Sequence, residues 1–100
     1  MEIIAPGIIS PIEISETGPV DRTILQEKFI KIHSVFLGKD QSWELTGERD
    51  NVLLVVAQGA IEANIDGEEK DLRIGDWVTF LAEQRLTVRA VCDAVLVVVE

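Results

Sequence analysis

The chain is 100 residues long and 47% apolar, with nine basic against eighteen acidic residues and a formal charge of −9. That length fits one small domain, 1–100, with enough hydrocarbon for a core. The charge argues against nucleic acid and against polybasic attachment to a membrane, because Lys31, Lys39, Arg49 and Arg73 stand singly and form no basic cluster.

Residues 1–20 hold Pro6, Pro11 and Pro19 and read as an extended segment that packs on the body of the domain or on a partner subunit. No Lys or Arg precedes Arg22, so the positive region of a signal peptide is missing. The single Cys92 has no partner for an internal disulfide, and a reduced, cytoplasmic setting is expected. The longest apolar run, VLLVVA, is far below the ~20 residues of a membrane-spanning helix.

The segment TILQEKFIKIHSVFL carries two periods. Leu25, Phe29, Ile32 and Phe36 form a helical stripe, whereas its β-branched content and the alternation of Ile30 and Ile32 favour strands. Two strands joined by a turn at Gln26-Glu27-Lys28 are expected, partly on the resemblance described below. VLLVVA (52–57) follows, then AIEANIDGEEKDL, where alternating residues lead into Asp66-Gly67, a tight hairpin turn. Gly75-Asp76 marks another turn, and WVTFL a further strand. In RLTVRAVC the residues Leu86, Val88, Ala90 and Cys92 share one face. VLVVV (95–99) ends the pattern. The whole reads as an all-β sandwich or barrel. Because 52–57 and 95–99 are apolar at every position, both faces of each are expected to be covered, and a homodimer is one way to do it.

From Gly38 to Glu100 the chain resembles the cupin family of small jelly-roll β-barrels, the RmlC-like double-stranded β-helix. The residues that carry the resemblance are DNVLLVVAQGAIEANIDGEEKDLRIGDWVTFLAEQRLTV, above all the glycine and aspartate placements. The resemblance implies a divalent metal held by two motifs. Aligned on Gly59, the first motif's glutamate falls at Val52 and its histidines at Thr46 and Glu48, or at Leu45 and Gly47 with the longer spacing. Aligned on Gly75, the second motif's proline, glycine, histidine and asparagine fall at Leu81, Glu83, Leu86 and Ala90. At the motifs' ligand positions only Glu48 has a side chain that ordinarily ligates a metal. A catalytic metal needs about three N, O or S ligands around one point, so a metal-free, divergent member with no cofactor is expected.

The remaining candidates are weighed singly. His33 is the only imidazole, in a chain without tyrosine, and the obvious general base. Its strand face reads Phe29, Lys31, Val35 and Leu37, which suggests a surface or core-edge residue. Glu48 belongs with Glu44 and Asp50 to a charge-rich stretch that reads as a solvated loop. Cys92 reads as inert core. Trp43 can line a pocket or fill the core, and Trp77 reads as core or interface, with Phe80 on the same strand. Three functions stay open. The first is a non-catalytic binding or sensor-like protein that holds a small apolar or weakly polar ligand against Trp43, Thr46, Glu48, Val52, Leu54, Leu86 and Val88. The second is a metal-independent, isomerase-like enzyme using His33 or Glu48. The third is an interaction protein with a filled barrel.

Overall fold

The computed structural model describes residues 14–46 and 51–100. These residues form nine strands: β1 (Val20–Gln26), β2 (Lys31–Leu37), β3 (Ser42–Thr46), β4 (Val52–Gln58), β5 (Ala60–Ile65), β6 (Glu68–Arg73), β7 (Trp77–Phe80), β8 (Arg85–Ala90) and β9 (Ala94–Val99). They make two antiparallel sheets, one of order β1-β2-β9-β4-β7 and one of order β3-β8-β5-β6. This is a compact two-sheet arrangement, all-β as the pattern predicts and of the jelly-roll type that the resemblance implies.

The segment 23–37 is strand and not helix. β1 and β2 pair from Val20↔Phe36 to Gln26↔Lys31, with a bulge at Ile24. The turn closes with the Glu27 amide donating to the Ile30 carbonyl, 2.8 Å away. Tertiary pairing therefore overrides the helical stripe. Phe29, one of its members, sits at the hairpin tip and is 78% exposed.

The turns follow their glycines and aspartates. Asp66 and Gly67 both have positive φ, 50° and 91°, and the Asn64 side-chain oxygen accepts the Gly67 amide at 2.8 Å. At Gly59 φ is 80°, and a Cβ there would lie 2.3 Å from the Asp93 carbonyl oxygen, so no other residue fits without moving backbone. Glu83 has φ 72°. This left-handed conformation favours glycine, the residue that the resemblance places at this position.

The core fills the space between the sheets. Val52, Leu54 and Val56 of β4 and Leu96 and Val98 of β9 meet Ile61 and Ala63 of β5 and Leu86, Val88 and Ala90 of β8. One face of β4 and of β9 is buried, whereas Leu53, Val55, Val95, Val97 and Val99 on the other are only partly covered. The placement of Cys92 differs from expectation. β8 ends at Ala90, and Cys92 lies in the following bend, exposed and not in the core. The alternation was carried two residues past the point where the backbone turns.

Candidate functional site

The two sheets meet along two seams, and these differ in chemistry. Along the first, β1 and β2 face β3. The register places Asp21 opposite Val35 and Thr23 opposite His33, so Asp21 and His33 leave their strands toward the same side. The inward row Leu96 and Val98 of β9 continues to Glu100. These three side chains meet: His33 Nδ1 lies 2.7 Å from Asp21 Oδ1, and Nε2 lies 2.9 Å from Glu100 Oε2. Trp43 of β3 packs edge-on against the imidazole, its ring centroid 6.0 Å away at 64°.

His33 is only 1% exposed, so it is buried and not at the surface or core edge as its strand neighbours suggested. A neutral imidazole carries one N–H and can donate to one of the two oxygens only. Every group is satisfied when both ring nitrogens carry protons, or when one carboxyl keeps its own. Either way no ring nitrogen is left over for a substrate, and a general base needs a free lone pair aimed at the proton it removes. The carboxylates approach opposite ends of the ring and do not converge on one point. Beside this cluster, Glu100, Lys31, Glu27, Gln26, Ile30, Leu45 and Thr46 line a polar cleft of about 260 Å³.

Along the second seam, the edge strands β6 and β7 face each other without pairing. Between them lies a slot of about 180 Å³, lined by Ala63, Ile65, Leu72 and Val78, with Glu68, Lys70, Thr79 and Gln84 around it. Here the interior is hydrocarbon and the charges stand at the rim.

The residues proposed for a central pocket are distributed as follows. Val52, Leu54, Leu86 and Val88 have 0% exposure and belong to the main core cluster. Trp43 is half-buried on the first seam, and Thr46 is exposed at its cleft. Glu48 lies outside the described residues, as does any approach of it to His33. The partners of His33 and the β6–β7 slot were not foreseen. The alternation 96, 98, 100 was the available signal for Glu100. The slot had none, because it depends on two edges failing to meet.

Nor do the residues fit the metal that cupin motifs imply. Val52, Leu86 and Ala90, at three of the motif positions, are apolar and buried. Among the described residues no group of three or more His, Cys, Asp or Glu side chains can hold a metal ion. No helix among them is long and apolar enough to cross a membrane.

Comparison with solved structures agrees with this architecture. An RmlC-like cupin from Desulfovibrio desulfuricans superposes with a TM-score of 0.84 at 18% identity, covering 98% of this chain and 95% of that one. A conserved protein of unknown function from Streptococcus pyogenes gives 0.80 at 18% identity, over 98% and 90%. The cupin domain of a transcriptional regulator from Enterobacter cloacae gives 0.71 at 20% identity, over 82% and 94%. No family model and no curated protein matches the sequence. The chain therefore has the cupin-superfamily fold, with no metal-binding cluster among its described residues. At these identities the likeness speaks for fold alone.

Proposed function

We propose that this protein is a metal-free, non-catalytic binding protein for a small apolar or weakly polar molecule. The observation that carries the reading is the replacement of the metal position by packed hydrocarbon, beside a slot that still opens between the sheets at β6 and β7. Removing buried polar ligands avoids the cost of charges left without a metal, and it also removes the groups that would polarise a substrate. Binding survives such a change, whereas metal-assisted chemistry does not. The enzyme alternative through His33 is opposed by the engagement of both its nitrogens.

We also propose a homodimer through the outer face of the five-stranded sheet; the packing expected of residues 1–20 falls, for 1–13, outside the described residues. Ile32, Val99 and Leu53 form one row of that face and Val97, Val55 and Trp77 the next. Trp77 is 64% exposed in the single chain, and contiguous exposed apolar surface of this kind marks interfaces. A reduced, cytoplasmic setting accords with the exposed, lone Cys92.

The test is a thermal-shift screen of uncharged and weakly polar metabolites on purified protein, with elemental analysis alongside. A melting temperature raised by at least one compound, with far less than one transition metal per chain, is the expected result. A compound that the wild type converts and His33→Ala does not would establish the enzyme instead.

A further inference from the structure

The β6–β7 slot has a shape and a set of polar groups that restrict what it can hold. Its depth comes from one residue. The inward row of β5 reads Ile61, Ala63, Ile65, and the small Ala63 between two isoleucines leaves a notch in the wall. Leu72 and Val78 supply the facing hydrocarbon. At about 180 Å³, and with roughly 30 Å³ for each water-sized group, the notch accommodates about six non-hydrogen atoms.

The register fixes which charges reach the mouth. Lys70 pairs with Ala63 and Glu68 with Ile65, so both side chains leave β6 on the slot's side of the sheet. Inward charges of this kind also discourage a foreign strand from adding to the edge. Their ends lie 3.5 Å apart, with side chains 57% and 73% exposed. An ion pair so open to water is weak, and both members stay available to a third group. The Gln84 side-chain oxygen already accepts the Leu81 amide at 2.7 Å, which leaves its N–H donors for the rim.

We infer that this slot binds an uncharged ligand with a short hydrocarbon body and a single hydroxyl or primary amide head. The inference rests on the small-molecule reading above and names the ligand's class. Such a head donates to the Glu68 carboxylate and accepts from the Lys70 ammonium, so it uses both charges. A carboxylate ligand finds donors in Lys70 and the Gln84 amide but no acceptor role for Glu68, which opposes it, as does a chain of net charge −9. An ammonium ligand finds Glu68 only, and displaces or faces Lys70.

The experiment is an amide-resolved NMR titration with 1-pentanol, pentanoate and pentylammonium. The expected result is movement of the Ala63, Ile65, Leu72 and Val78 amides, with 1-pentanol saturating ~10-fold below the two charged analogues. Ala63→Leu fills the notch from one wall and Val78→Phe from the other; each should remove the response while the remaining spectrum stays folded. Charged analogues that bind as tightly as 1-pentanol would overturn the inference, as would saturation unchanged in both filled variants. A metabolite from the thermal screen that binds wild type and both filled variants equally would sink the slot and leave the small-molecule reading standing. A protein that no compound shifts in either assay would end both.

Discussion

The two seams of this sandwich close by opposite means. Where β1 and β2 meet β3, a buried imidazole is gripped by two carboxylates and covered by Trp43. Where β6 meets β7, hydrocarbon walls stand apart and the charges remain in water. A polar group can be buried at low cost only when each of its hydrogen-bonding atoms is matched, so the first seam is fixed by its geometry. An apolar wall makes no such demand, and a gap lined with methyl groups persists without an unsatisfied atom. The seam that looks chemically active is thus the fastened one, and the plain seam is the one with room.

The contrast can be broken first in the hydrocarbon itself. Leu54, wholly buried at the centre, should lose about 4 kcal/mol on truncation to alanine, whereas Leu72, beside the slot, should lose only about 2 kcal/mol because it has fewer neighbours to forfeit. Urea midpoints decide it, and equal losses would mean that the slot is closed in solution. At the other seam, His33→Ala should cost about 3 kcal/mol, since it opens a cavity and strands a carboxylate. Glu100, with 15% side-chain exposure, should matter more than Asp21, with 42%, which can turn to water. Glu100→Gln should therefore destabilise more than Asp21→Asn in the same urea series, and the reverse order would place the anchor on β1. The smallest effect belongs to the turn that carries Gln84 to the slot's rim. Glu83 sits there at φ 72°, and Glu83→Gly should raise stability by about 0.5–1 kcal/mol by relieving that conformation. A loss would show that the Glu83 side chain contributes more than its backbone strain costs.

These seams also show which features the sequence made legible. The strands from 52 onward were readable because alternation and the Asp66-Gly67 and Gly75-Asp76 signals are local. The loss of the motif's usual ligands was readable too, because its positions can be counted from Gly59 and Gly75. The His33 cluster was not, because its partners lie 12 and 67 residues away in the chain. Which inward polar residues come within reach is set by sheet order, which periodicity does not encode. Cys92 misled for the opposite reason: it continues a perfect alternation, but the strand stops before it.

The placement of β9 bears on how the molecule is made. The last of the nine strands lies in the interior of its sheet, between β2 and β4. A nascent chain emerging in order presents β2 and β4 first, each with an open edge and an apolar face, and neither is sealed by the other. The central ladder closes only when residues 94–99 leave the ribosome, so assembly is governed by distant pairing and is slow by comparison with a helical chain of this size. During that interval the unfinished sheet exposes unpaired edges of the kind on which aggregation starts, and His33 lacks, on one side, the Glu100 carboxylate that follows β9.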